Sequence, residues 1–327
     1  GWKVQQIAEQ IGYSKRTIER ERTLGMTEQL KPATKGIKAH GDVQKQWVYL
    51  ADVAQRRHEE NAKGKGRNLK IGSDHRLADS IERKIKDEKY APAAVIGDLM
   101  QHGWPSDVRI CVKTLYNYID RGLFLSINHE ELPFKKKRTK PTTHKRRKVA
   151  WNNRGGKSIE ERPKEVNQRQ AFGHWEIDLV IGRKGTKPVL LTLVERKTRK
   201  SLYILVKNKS QKEVLQALRR MKRRSKGDFA EVFKSITADN GSEFLDGAGL
   251  KKATGCEEVY YAHPFSSWER GSNENGNRIL RRFLPKGTDF SQLKAETLQR
   301  IEDWVNNYPR KIFGYKTAND MYAALAS

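Results

Sequence analysis

Cysteine is nearly absent: the 327 residues include only Cys111 and Cys256, with no CxxC or Cys/His ligand spacing. A disulfide framework and a zinc finger are both excluded, and both thiols are expected to be buried. No apolar run approaches the roughly 20 residues that would cross a bilayer. The opening residues, GWKVQQIAEQ, have neither the apolar segment nor the small-residue cleavage site of a signal peptide, so an intracellular protein is expected. No GxxxxGK[ST] loop is present, so no ATP site is expected, and no heptad seam marks an oligomer interface.

Acidic residues are also in short supply. Asp and Glu number 39 against 66 Lys and Arg, a net charge of +27. Solubility does not need such an excess, so the partner should be a polyanion. With no spanning segment and no strongly amphipathic anchor, nucleic acid is the expected partner, not a membrane.

The length suits two or three units. Residues 1–62 open with Val4, Ile7, Ala8 and Ile11 at helical spacing, then Gly12-Tyr13-Ser14, then Thr17, Ile18 and Leu24. This is a helix-turn-helix pattern, with Gly12 in the turn and Ser14 capping the second helix. The basic face of that helix, Lys15, Arg16, Arg20 and Arg22, would meet DNA. Any small helical hairpin gives the same pattern. Residues 42–60 read as a further helix and 63–72 as a basic linker. Residues 73–132 read as three helices forming a second, helix-turn-helix-like DNA-binding domain, with Lys113 as a candidate contact. Its apolar residues Leu77, Ile81, Ile85, Val95, Leu99, Leu115 and Ile119 would equally make the core of a plain spacer.

Residues 133–170 read as a second basic linker. The string FKKKRTKPTTHKRRKVAW holds nine Lys or Arg and no acid. Lys135, Lys136, Lys137, Arg138, Lys145, Arg146, Arg147 and Lys148 are candidate phosphate contacts. From 171 to 327 the texture changes. HWEIDLVIG, PVLLTLVER and KSLYILVKN predict an antiparallel meander, and the order continues as βββαβαβαα.

Asp178 falls mid-strand, Asp239 at a strand end in TADNGSEF, and Glu274 in the helical ERGSNENGNRILRRFL, with 34 residues between it and Asp239. Carboxylates from three separate elements are the oxygen donors that Mg²⁺ or Mn²⁺ prefers. Two such ions roughly 3.5–4 Å apart would activate a hydroxyl and stabilise a leaving oxygen. Asn240-Gly241 makes a tight turn that would let a phosphate or metal approach. Arg270, Asn277, Arg278 and Arg281 share the helix face of Glu274, so the three arginines are candidate DNA contacts. Glu176 shares the strand face of Asp178 and is either a partner behind the ligands or a solvent-exposed glutamate; Asn240 and Asn277 are candidates for the same supporting role. His174 and His263 are given packing roles. Trp175, Trp268 and Trp304 could stack on bases, with core packing as the default except for Trp268, which precedes the Glu274 helix.

SIEERPKEVNQRQAFGHWEIDLVIG, TLVERKTR, TADNGSEF and SSWERGSNENGNRILRRFLPKGTDF resemble the DDE transposase and retroviral integrase superfamily, more closely the bacterial insertion-sequence transposases of the IS-thirty family. QQIAEQIGYSKRTIERE and KTLYNYIDRGLF extend the resemblance over nearly the whole chain. It departs in Ile177, where a small residue is expected, and in Gly276 within the helix. The resemblance implies a multidomain protein: N-terminal all-α helix-turn-helix units followed by an α/β ribonuclease-H-like catalytic domain. It also implies Asp178, Asp239 and Glu274 as ligands of two divalent metal ions, Mg²⁺ or Mn²⁺. The implied activity is binding of terminal inverted repeats, strand cleavage and 3′-OH strand transfer. Partners would be double-stranded DNA, both element ends and target, with a homodimer or higher assembly in the bacterial cytoplasm at the nucleoid. Two alternatives stay open: a DNA-binding regulator with an inactive ribonuclease-H-like domain, and a simple nuclease of the same fold.

Overall fold

The computed structural model describes residues 2–30, 45–63, 68–72, 74–132, 156–225, 229–264 and 266–326. The chain divides into two compact units, Gly1–Gly72 and Ser73–Ser327.

In the first unit α1 (Val4–Ile11) and α2 (Lys15–Gly25) form the expected helical pair. Gly12 takes the left-handed conformation at φ 72°, and the Ser14 hydroxyl accepts from the Thr17 amide at 3.2 Å. The two helices are therefore punctuated by a glycine turn and a hydroxyl cap. The expectation of one helix over 42–60 is corrected. β1 (Met26–Leu30) pairs antiparallel with β2 (Lys45–Tyr49), Met26 opposite Tyr49, and α3 (Ala51–Lys63) begins only after the strand. A partner far along the chain thus overrides local helical spacing. At Gly25 a Cβ would lie 2.2 Å from the Tyr49 ring, and the Leu50 amide donates to the Gly25 carbonyl at 2.9 Å. Only glycine lets the strand return so closely.

The second unit starts with α4 (His75–Lys86), α5 (Pro92–His102) and α6 (Val112–Asp120). All seven apolar residues singled out above are buried. These helices rest on the C-terminal part of the same unit. Trp304 Nε1 donates to the Glu88 carbonyl at 2.8 Å, and Tyr90 meets the Trp304 and Tyr308 rings edge-on at 5.7 and 5.4 Å. Tyr315 fills the space where Gly97 would carry a Cβ. Cys256 is buried, but Cys111, just ahead of α6, is exposed, which corrects the expectation of two buried thiols.

Next come β3 (Lys157–Ser158), α7 (Lys164–Asn167), β4 (His174–Ile181), β5 (Val189–Glu195), β6 (Ser201–Val206) and α8 (Gln211–Arg224). They are followed by α9 (Phe229–Val232), β7 (Ser235–Ala238), α10 (Gly247–Thr254), β8 (Glu258–Tyr261), α11 (Gly271–Leu280), α12 (Ala295–Asn306) and α13 (Ala318–Ala326). The strands form one sheet in the order β3-β8-β7-β4-β5-β6. β4, β5 and β6 are the antiparallel meander; β7 runs parallel to β4, and β8 and β3 continue parallel. An antiparallel meander extended by parallel strands on the β4 side is the ribonuclease-H-like arrangement. Residues 157–167, at the end of the stretch read as a linker, contribute β3 and α7 to this body.

Period-two alternation sorts the faces. Trp175, Ile177, Leu191 and Leu193 pack beneath α8 and α10. Val180 and Leu190 pack with Ile279, Leu280, Leu298 and Val305 of α11 and α12. The sheet is thus covered on both faces, and Glu176 and Asp178 point to the α11 side.

Candidate active site

Asp178 lies in β4 and Asp239 immediately follows β7. The parallel register pairs Glu176 with Thr237, so two residues on the aspartates stand side by side. Between them lies Arg270, in a short 3-10 turn (Ser267–Arg270) leading into α11. Its guanidinium is 3.3 Å from the Asp178 carboxylate and 3.1 Å from that of Asp239, and it also donates to the Ile177 carbonyl at 3.3 Å. Burial pushes the Asp178 carboxyl above its usual range; Arg270 opposes the rise and Asp239 adds to it. Two facing carboxylates thus compete for one cation.

The Asp239 turn is tightly held. The Gly241 amide donates to Asp239 Oδ1 at 3.0 Å, and Asn240 Nδ2 donates to the Ala262 carbonyl at 2.6 Å. Asn277 on α11 donates its amide to Asp178 Oδ2 at 2.9 Å. The amide oxygens of Asn240 and Asn277 are buried without a hydrogen-bond partner. Glu274, one turn before Asn277, is exposed. Among the described residues no three His, Cys, Asp or Glu groups are gathered closely enough to hold a metal ion. The structure therefore brings Asp178 and Asp239 together and leaves Glu274 outside that pair.

What fixes α11 against the sheet is Glu176, read from the sequence as either a partner behind the ligands or a solvent-exposed glutamate, together with Thr192, Arg196 and Arg199, which sequence reasoning did not assign. Glu176 is fully buried, not solvent-exposed; one oxygen pairs with the Arg196 guanidinium and the other accepts the Asn273 backbone N–H at 2.8 Å. Thr192 donates to the Asn273 side chain at 3.2 Å, and Arg199 donates to the Ser272 hydroxyl. Arg196 also donates to the Val166 and Asn167 carbonyls of α7. In TLVERKTR, therefore, Glu195 staples its own turn through Thr198, while Arg196 and Arg199 reach the elements around Glu274. A detectable signal was the cluster of charges closing an otherwise apolar strand. Gly276 has its own reason: a Cβ there would lie 3.1 Å from Val194 Cγ2, so the helix sits close on β5.

The remaining candidates separate by position. His174 shares a 2.7 Å hydrogen bond with Ser235, and burial lowers its pKa to about 4. His263 bonds Glu269, which raises its pKa, and lies beside Glu160. Trp175 is core, stacked on Phe233; Trp304 packs between Tyr90 and Phe283; Trp268 is 72% exposed. Lys15, Arg16, Arg20, Arg22, Lys113 and Arg278 are exposed. Arg281 is committed to the carbonyls of Ile181, Leu284 and Pro285. Lys135, Lys136, Lys137, Arg138, Lys145, Arg146, Arg147 and Lys148 lie outside the described residues. Among the described residues no helix is long and apolar enough to cross a membrane.

Over 98% of its length the chain is 36% identical to a probable transposase for insertion-like sequence element IS1161 of Streptococcus salivarius, taking in 89% of that protein. The chain belongs to the insertion-sequence transposases. The transposase is also 33% identical over 219 residues to transposase InsI for insertion sequence element IS30A of Escherichia coli (strain K12), covering 64% of this chain and 53% of that one. It is 32% identical over 243 residues to the transposase for insertion sequence element IS1086 of Cupriavidus metallidurans, covering 72% and 69%. The IS-thirty resemblance seen in the motifs is thereby borne out. No protein-family model matches. The catalytic core domain of BIV integrase overlaps 47% of this chain and 95% of its own, at TM-score 0.37 and 16% identity.

Proposed function

We propose that this transposase binds the terminal inverted repeats of its insertion sequence and catalyses metal-dependent strand cleavage followed by 3′-OH strand transfer at Asp178, Asp239 and Glu274. The observation that carries this reading is the Arg270 guanidinium set between Asp178 and Asp239. Two carboxylates on adjacent strands, with the unpartnered amide oxygens of Asn240 and Asn277 nearby, make an all-oxygen donor set that suits a hard divalent cation. Asp178 and Asp239 would hold such ions, and Glu274 would join from the first turns of α11. Bound there, a pair of Mg²⁺ or Mn²⁺ ions supplies activation of the attacking hydroxyl and stabilisation of the leaving oxygen.

The chain's own residues do the positioning. Glu176 and Asn277 seat α11 on β4, and the Asp239 turn holds its carboxylate toward Asp178. Arg270, released from the carboxylates, is placed to meet the scissile phosphate. Arg278, exposed one turn beyond Glu274, would meet the flanking strand, and Arg281 would hold the end of that helix. The exposed cations of α2 and Lys113 on α6 would bind the end duplex, as would the basic segment between the helical bundle and the sheet. Joining two ends requires at least a dimer.

The test is incubation of the purified chain with a labelled duplex of its own element end and with a scrambled duplex, in Mg²⁺ and in EDTA. Mg²⁺-dependent nicking at the element terminus that leaves a 3′-OH supports the reading. Equal nicking of both duplexes would reduce the protein to a nuclease without end recognition.

A further inference from the structure

Among the described residues of the second unit, Trp268 is the one tryptophan that the fold leaves bare. Trp175 stacks on Phe233 at 4.4 Å, Trp304 meets Tyr90 and Phe283 edge-on, and the Arg109 guanidinium lies 5.1 Å over the Trp104 ring. Trp268 is 72% exposed and has no hydrogen bond, ring contact or cation among the described residues. Yet the turn that carries it is held firmly. The Ser266 amide donates to the His263 carbonyl at 3.2 Å, and the Glu269 amide donates to the Ser266 carbonyl at 3.1 Å. The Glu269 carboxylate accepts the His263 backbone N–H at 2.8 Å and bonds the His263 ring at 2.7 Å. Arg270 is fixed by Asp178 and Asp239. The two side chains that follow Trp268 are thus tied to the fold, and the indole is left to solvent. Two residues span at most about 7 Å of chain, so the indole stands near the nucleotides that flank a phosphate held at the carboxylates.

A bare indole on a fixed turn is a flat apolar plate, and the ligand that matches it is another π-face. Inside a duplex each base is covered by its neighbours, so only a base taken out of its pair offers one. We propose that Trp268 stacks on the unpaired base of a nucleotide flanking the scissile phosphate and so holds the DNA end open at the carboxylates. The inference rests on the catalytic reading above for the place of that phosphate. It adds that the pair beside the phosphate is opened, and it names the side chain that keeps it open.

The experiment uses the full chain and an element end embedded in flanking duplex, so that no blunt terminus offers a face. Each nucleotide of the two base pairs on either side of the scissile phosphate is replaced in turn by an abasic residue. Binding of wild type, Trp268→Ala, Trp268→Leu and Trp268→Phe is measured in Ca²⁺ and in EDTA. One stacked base corresponds to about five- to 150-fold in affinity. The Ala and Leu variants should bind the intact end that much more weakly than wild type, and should match wild type once the stacked base is removed. Trp268→Phe, which keeps a ring, should lose less than either. No loss on the intact end overturns the proposal. So does a loss that persists at every abasic position, and if sedimentation then shows a smaller assembly, the indole contacts a second copy of the chain instead. The second readout is cleavage in Mg²⁺. A mismatch at the opened pair should restore cleavage by Trp268→Ala, because the opening is already made; no rescue overturns the role in holding the end open. If the wild type cuts nothing, the catalytic reading fails, and the abasic comparison still decides the stacking.

Discussion

Glu176 accepts the backbone N–H of Asn273 at 2.8 Å, one residue before Glu274 and two residues along β4 from Asp178. The strand that carries one candidate ligand therefore also anchors the helix turn that carries another. Asp178 repeats the arrangement one helical turn on, through Asn277 at 2.9 Å.

Arg196→Met should destabilise the fold by about 3–5 kcal/mol, because it leaves the buried Glu176 carboxylate without its cation. Urea unfolding measures this directly. An effect under about 1 kcal/mol would show that the pair does not anchor α11.

Arg270→Gln should tighten Mn²⁺ binding to the DNA-free protein by up to about tenfold, since a partly buried ion pair of about 1 kcal/mol no longer competes for Asp178 and Asp239. Isothermal titration gives the affinity. Weaker binding in the variant would mean that Arg270 supports the cation site instead of occupying it.

Gly276→Ala should be close to neutral, because about 1 kcal/mol of gained helix propensity is set against the 3.1 Å contact with Val194. Gly276→Leu should cost about 1–3 kcal/mol by overpacking. Thermal unfolding separates the two, and equal melting temperatures would deny the close approach of α11 to β5.

Burial lowers the His174 pKa to about 4, below the ordinary histidine value of 6.5. The folded state thus binds fewer protons than the unfolded chain in this window. Stability from this group is complete above pH 6.5 and is lost as pH falls from 6.5 toward 4. His174→Gln should flatten that part of the stability-against-pH curve; an unchanged slope would place the acid sensitivity elsewhere.

The sequence was most legible where the signal is local. The meander, the three helices of α4 to α6 with their seven buried residues, and the Gly12 and Ser14 punctuation all follow from period and turn chemistry. Asp178, Asp239 and Glu274 were visible as oxygen donors on three separate elements, and it was the family resemblance that singled them out as ligands. What was hidden depends on distant partners. β1 and β2 each need the other to be a strand, and β3 is two residues paired to β8 a hundred residues later. Strand alternation left Glu176 as either a partner behind the ligands or a solvent-exposed glutamate; only Arg196 and the Asn273 amide, both distant in sequence, decide for burial. Arg270 looked like one more cation on the helix of Glu274. The chain instead turns before the helix begins, and that places it between the two aspartates.

The most direct test of the central claim is single-turnover cleavage of the element-end duplex in Mg²⁺ by wild type and by Asp178→Asn, Asp239→Asn and Glu274→Gln, with DNA affinity measured alongside. The account predicts loss of cleavage by at least about a thousandfold, roughly 4 kcal/mol of barrier, in all three, with end binding retained. Near-normal cleavage in any one of them, Glu274→Gln above all, would contradict the assignment of that residue to the catalytic site.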